Sequence, residues 1–157
     1  MALKGDRNYT DGTDISFFMT ATGERGGLVL YSTGGSGAAM DDSSALVAFP
    51  TGQSVSGVQP AGLLLCDVVN YDLTRQRLNW HQDQVQSGGK VTLLKRGVVV
   101  TNMIATGDTP TIGALAYCDS SQGGKLTSTQ PSGGVAVGTF KSVKDADGYC
   151  KVQITLG

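Results

Sequence analysis

The segment YCKVQITL, residues 149–156, alternates strictly: Cys150, Val152, Ile154 and Leu156 fall on one face of an extended chain, and Tyr149, Lys151, Gln153 and Thr155 on the other. Only a strand, whose side chains repeat every second residue, turns that pattern into one apolar and one polar face. Short apolar runs recur along the chain: LVLY (28–31), SALVAFP (44–50, ended by Pro50), GLLLCDVVNYDL (62–73), KVTLL (90–94), GVVVTNMI (97–104), GALAYCD (113–119), KLTST (125–129) and VAVGTF (135–140). Many lie roughly 10 residues apart with Gly, Ser, Asp or Pro between them, as strands of a sandwich or barrel do. The 23 glycines follow no collagen period and serve as turn residues. No long amphipathic helix pattern is present, and no strand–helix alternation that would build a parallel sheet. The expected fold is all-β: a β-sandwich or barrel of short antiparallel strands, with an extended N-terminal arm and little helix.

Local readings refine this outline. The first 14 residues set Lys4, Asp6, Arg7, Asn8, Asp11 and Asp14 around only Met1, Leu3 and Tyr9 as large apolar side chains. That composition predicts an arm, residues 1–14, that does not pack on its own core, followed by a single β domain over 15–157. ISFFMTA (15–21) is the first segment apolar enough to be buried, and 62–73 is apolar enough to be buried on both faces. Gly-rich loops are expected after Tyr31 and over 51–60, and a turn at Lys95-Arg96-Gly97. TRQRLNWHQDQVQ (74–86) fits a helix and an exposed strand equally well.

Length and charge exclude several functions. At 157 residues the chain suits one domain, and a fold of that size buries about 68–70% of its unfolded surface, so its core needs no stapling. Twelve basic against thirteen acidic residues leave a net charge of −1, without the basic excess that drives counterion release on nucleic acid. No apolar run approaches the roughly 18 residues that span a bilayer, and the N-terminus lacks the apolar stretch of a signal peptide. Synthesis in a cytoplasm, with any release by lysis, is the expectation.

Tests for chemistry come out negative. SQGGKLTST (121–129) and QSGGKVTLL (86–94) look like phosphate loops, but Asp119 and Gln84 stand where the first glycine is required, and Leu126 and Val91 replace the Ser/Thr after the lysine. Gly-Gly between apolar runs instead reads as a hairpin turn in AYCDSSQGGKLTST. KDADGYC (144–150) lacks the acids of a calcium loop at 143 and downstream, and Asp147-Gly148 is a hairpin dipeptide. GGSGA (34–38) is missing the last glycine of a nucleophile elbow, and Asp41-Asp42 lies in a Gly/Ser loop as a solvated turn. Cys66, Cys118 and Cys150 sit in apolar stretches and read as small core hydrophobes, with a Cys118–Cys150 bridge the alternative. One histidine, His81, cannot furnish a zinc site, and it would have to be the base of any histidine-dependent triad. No catalytic residue, metal ligand or cofactor site is assigned. A neutral, glycine-rich β protein of this kind works by presenting surface.

Three blocks carry a resemblance: ALKGDRNYTDGTDISFFM at the start, GLLLCDVVNYDLTRQRLNWHQDQVQSGGKVTLLKRGVVVTNMI in the middle, and GALAYCDSSQGGKLTST…GGVAVGTFKSVKDADGYCKVQITL at the end. Together they cover most of the chain, and it resembles the head decoration (cement) proteins of tailed bacteriophages, of the type found in phages of cyanobacteria and marine bacteria. The resemblance implies a β-rich protein on the outside of the capsid, often trimeric at local threefold positions, clamping neighbouring capsomers against internal DNA pressure. It implies the major capsid protein as partner, further copies of itself in a homotrimer, and no membrane or direct nucleic-acid contact. Physical reasoning adds two contact candidates: the arm residues Lys4, Asp6, Arg7, Asn8 and Tyr9, and the strip Arg75, Arg77, Trp80 and His81, since Trp and Arg are enriched at interface hot spots. A tail or fibre module, a carbohydrate-binding β domain using Trp80 and the tyrosines, and an enzyme built around His81 are the alternatives.

Overall fold

A computed structural model describes residues 9–32, 46–50, 59–67 and 84–156. In chain order its strands are β1 (Tyr9–Met19), β2 (Gly23–Glu24), β3 (Leu28–Ser32), β4 (Leu46–Ala48), β5 (Pro60–Asp67), β6 (Gln84–Val85), β7 (Lys90–Thr101), β8 (Leu115–Asp119), β9 (Lys125–Thr127), β10 (Ala136–Phe140) and β11 (Cys150–Thr155). Among the described residues helix is limited to a single 3-10 turn, Ser120–Gln122. The all-β expectation is met.

The long β7 is the spine. One of its edges takes β1 in antiparallel register, from Tyr9 opposite Val98 to Phe18 opposite Lys90. The other edge is shared: β5 covers Val91 to Leu94, and β11 covers Arg96 to Thr101. From β5 the sheet continues through β3 to β4, and β4 pairs in parallel with the end of β1, closing a ring of five strands. From β11 it continues through β10 and β8 to β9. Residues just past β7 then bond to β9, with Ala105 N–H donating to the Leu126 carbonyl and Leu126 N–H to the Met103 carbonyl, both at 2.8 Å. A second ring closes there. Closure leaves few unpaired edges, the usual protection of an all-β chain against edge-to-edge association. β2 and β6 form a separate two-stranded pair.

Each ring has its own core, and β3 and β5 serve both. Val29 and Leu64 pack with Phe17, Met19, Val47, Val91 and Leu93 inside the first ring. Leu28, Leu30, Leu63 and Leu65, on the opposite faces of the same two strands, pack with Phe140, Val152 and Ile154 in the second. The burial on both faces expected of 62–73 is met by the unbroken run Leu63, Leu64 and Leu65, while residues 68–73 lie outside the described residues. Where β7 leaves the first ring, Thr101 is fully buried. Its hydroxyl donates to the Gly26 carbonyl at 3.1 Å and accepts from Met103 N–H at 3.0 Å, so its polar atom is satisfied inside the apolar seam.

Two readings need correction. The turn expected at Lys95-Arg96-Gly97 is a β-bulge inside one continuous strand. Gly12 faces Arg96 and Thr13 faces Leu94, so Lys95 is an extra residue relative to β1. The bulge shifts the alternation by one: Leu94 enters the second core, and so does Val99. The boundary expected after residue 14 falls inside β1, because Tyr9–Asp14 already pair with β7. The polar side chains of that stretch suggested an unpacked arm, but a ladder is made by backbone groups and tolerates them. The loop expected at 34–38, the Asp41-Asp42 turn, most of the 51–60 loop and residues 74–83 of the undecided segment lie outside the described residues.

Candidate functional site

Because β5 and β11 share one edge of β7, they must part where one ends and the other begins. The parting falls at Lys95, where Leu156 N–H still donates to the Lys95 carbonyl at 2.7 Å. It leaves a cleft of about 320 Å³ lined by Tyr31, Gln59, Pro60, Lys95, Val135 and Leu156, among others. Pro60 begins β5 there, a position that suits a residue without an N–H to donate. Tyr31 and Val135 are large apolar side chains left 45% and 44% exposed, and both face this one cleft.

The bulged Lys95 organises the cleft wall. Its Nζ lies 3.1 Å from Asp14 Oδ2 and donates to Tyr31 Oη at 3.3 Å. It also sits 5.1 Å from the centre of the Phe17 ring and 5.8 Å from that of Tyr31, the range in which an ammonium is attracted to an aromatic face. The two rings pack on each other with centroids 5.6 Å apart. Burial disfavours both charges, yet the contacts outweigh it. Hydrogen bonds from Ser16 and from Lys95 hold the Asp14 carboxyl below its usual value, and Asp14 and Tyr31 hold the Lys95 ammonium above its own. Lys95 is thus a neutralised, positioned cation.

The features that invited chemistry are turns. Gly123 and Gly124 both have left-handed φ (66° and 70°) and join β8 to β9, so the second GGK is a hairpin. The first closes a turn at Gly88 (φ 82°) that docks on the end of β1, with Met19 N–H donating to the Gly89 carbonyl at 3.0 Å. In KDADGYC, one carboxylate oxygen of Asp145 accepts from the N–H groups of Asp147 and Tyr149 at 3.1 and 2.7 Å, which makes it a turn residue. All three cysteines are free thiols, so the Cys118–Cys150 bridge is absent. Burial, with the Asp119 charge second, pushes the Cys118 thiol up to about 12, and burial also raises Cys150. Neither is a thiolate nucleophile near neutral pH. Among the described residues no cluster of His, Cys, Asp and Glu could hold a metal ion.

Of the sequence-selected contact residues, Tyr9 alone falls within the described residues. Lys4, Asp6, Arg7 and Asn8 lie outside the described residues, as do Arg75, Arg77, Trp80 and His81. Tyr9 is placed by its backbone only, opposite Val98 at the start of β1. Asp14, Tyr31 and Lys95 were not singled out from sequence. They come together only through strand register, and no local spacing announces that.

Two closed rings that share strands, hairpin turns and a cleft walled by Asp14, Tyr31 and Lys95 define a closed-sheet β protein. The family model described as "Structural cement protein (E217 gp24/Pam3 gp6)" matches residues 2–155. The chain belongs to this family of phage structural cement proteins, and its role is that of a capsid cement in the virion. A chain from the solved "The capsid of Myoviridae Phage XM1" shares the fold, with a TM-score of 0.59 at 12% identity over 99% of this chain and 92% of that one. No curated protein matches.

Proposed function

We propose that this cement protein sits on the outer surface of the phage head, as a homotrimer at local threefold positions, and ties neighbouring copies of the major capsid protein together. It does so without catalysis, without contacting DNA and without a membrane, after synthesis in the host cytoplasm. The observation that carries the reading is the family match over 2–155. Its physics is that of many weak contacts on a closed shell. Once one contact forms, the next is intramolecular, and affinity multiplies through effective concentration. A net charge of −1 limits repulsion among copies crowded on one surface. The arm, Lys4 to Tyr9, and the strip Arg75, Arg77, Trp80 and His81 are the proposed contacts.

The test uses purified protein and heads assembled without it. Heads should take up the protein to a fixed stoichiometry, in multiples of three per site, and should then survive heating that opens bare heads. Equal heat resistance with and without the protein would sink the reading. Trp80→Ala should weaken uptake about 30-fold, as loss of a hot-spot side chain does.

A further inference from the structure

The cleft at the parting of β5 and β11 has an aromatic wall that is fixed before any ligand arrives. On β3, Val29 faces the first core, and Tyr31, two residues on, continues that face to where its ring meets Phe17. Tyr31 N–H donates to the Gln59 carbonyl at 3.1 Å, which ties the lead-in to β5 to the same place. Lys95 steadies the ring through its hydroxyl at 3.3 Å and through the aromatic face. A side chain held this way has little freedom left to lose on binding. The polar groups of the cleft keep hydrogen-bonding capacity. Lys95 donates to Tyr31 Oη, so the phenol is the acceptor there and its own hydrogen is left for another partner. An ammonium has three N–H groups, and Asp14 and Tyr31 take two of those on Lys95. Gln59 and Thr155 bring an exposed amide and an exposed hydroxyl. The side chains of Pro60, Val135 and Leu156 add C–H surface alone.

These groups discriminate among ligand classes. A phosphate, a nucleotide or an acidic sugar calls for an unpaired cation, and the one charged residue lining the cleft, Lys95, already faces Asp14 at 3.1 Å. An aliphatic ligand would cover the phenol, ammonium, amide and hydroxyl without giving them partners, which costs free energy. A folded domain does not enter a cleft of about 320 Å³, close to the lower bound for small-molecule sites. A neutral sugar ring meets all three conditions. It lays a C–H face on an aromatic ring, its hydroxyls both donate and accept, and it brings no charge. We propose that this cleft binds a neutral saccharide unit, stacked on Tyr31 and hydrogen-bonded by Tyr31 Oη, Lys95 Nζ, Gln59 and Thr155. A shell carrying many copies then holds a glycan-coated surface through many weak contacts at once. That use by the virion rests on the cement reading, whereas the binding itself does not.

The experiment is saturation-transfer NMR on the full chain, with lactose, maltotriose, mannotriose and chitotriose as neutral probes. Sialyllactose serves as the acidic counterpart of lactose, and a proline-rich peptide as the competing occupant. At least one neutral probe should receive saturation, and sialyllactose should bind no better than lactose. Tyr31→Ala should weaken the neutral probe about tenfold through loss of the stacking ring. Tyr31→Phe keeps the ring and should weaken it about threefold through loss of the hydroxyl. Ile112→Ala, an exposed apolar residue away from the cleft, should bind as the parent does. Thermal unfolding checks each variant, and Thr155→Val at the cleft rim takes the place of Tyr31→Ala if that chain does not fold. No transfer to any neutral probe overturns the proposal. So does parent-level binding by a folded Tyr31→Ala or its replacement, tighter binding of sialyllactose than of lactose, or transfer to the peptide alone. Uptake by heads assembled without the protein is measured alongside, and Tyr31→Ala should be taken up like the parent. Saccharide binding without head uptake would bring down the cement reading and leave the site standing, and head uptake without saccharide binding would do the reverse.

Discussion

At the scale of single residues, the two GGK turns separate backbone conformation from packing. Gly88 and Gly124 both hold left-handed φ, 82° and 70°. A methyl group on Gly88 would meet nothing within 4 Å, whereas on Gly124 it would run into the Leu28 carbonyl oxygen and touch the Pro50 ring at 3.1 Å. Leu28 N–H also donates to the Gly124 carbonyl at 2.8 Å, so this turn is pressed against the start of β3 and cannot back away. Gly88→Ala should therefore cost about 1 kcal/mol, the left-handed penalty alone. Gly124→Ala should cost more than about 3 kcal/mol, a fall in Tm near 10 °C for a chain of this size. Equal effects in thermal melts would refute the close approach. Asp108 offers a second test. Burial pushes its carboxyl up, but the Ser128 hydroxyl and N–H, bonded to its two oxygens at 2.6 and 2.5 Å, hold it below the ordinary 3.8. A lowered folded value means the contribution is complete above about pH 4 and is lost as pH falls through the folded value. Tm measured between about pH 2 and 6 should fall less steeply on the acid side in Asp108→Asn than in the parent.

At the scale of elements, β7 shows what a sequence of this kind discloses. Its two halves, KVTLL and GVVVTNMI, were legible as apolar runs because burial leaves β-branched and aliphatic residues there. The link between them was not, since Lys-Arg-Gly is composed equally like a turn and like a bulge. Only the partner strand distinguishes them, and β1 lies far away in sequence. The same holds for Asp14, Lys95 and Tyr31, whose meeting is a product of register. The ends of β8, β10 and β11 came within about two residues of expectation because their turns are marked by Gly and Asp, a local signal. If Lys95 matters as an extra residue more than as a charge, two variants should diverge. Lys95→Ala gives up one partly exposed ion pair and should cost about 1 kcal/mol. Deleting Lys95 pulls Arg96, Val98 and Val100 round to the core side and puts Val99 outside, a one-residue slip that reverses every side chain beyond it. The deletion should yield insoluble or unfolded protein by circular dichroism, while the alanine variant keeps the parent spectrum.

At the scale of the whole molecule, the shared strands decide whether two rings behave as one body. A cement protein under load is useful only if force entering at one surface is carried to another without the body parting between them. β7 runs through both rings, and β3 and β5 place Val29 and Leu64 in one core and Leu28 and Leu63 in the other. Melting the first ring would strip one wall from the second core, so neither can unfold at low cost while the other persists. Calorimetry should then give a single transition whose calorimetric and van't Hoff enthalpies agree. Phe140, fully buried in the second core, tests the coupling. Phe140→Ala removes a large side chain and should cost about 3–5 kcal/mol, lowering Tm by about 10 °C or more. Hydrogen exchange of the Val29 and Val47 amides in the first ring should speed up by the factor that the same free energy dictates, although neither residue belongs to the core that holds Phe140. Two resolved transitions, or first-ring amides that keep parent protection while the second ring loses it, would mean that the rings are separable and that load passes between them through β7 alone.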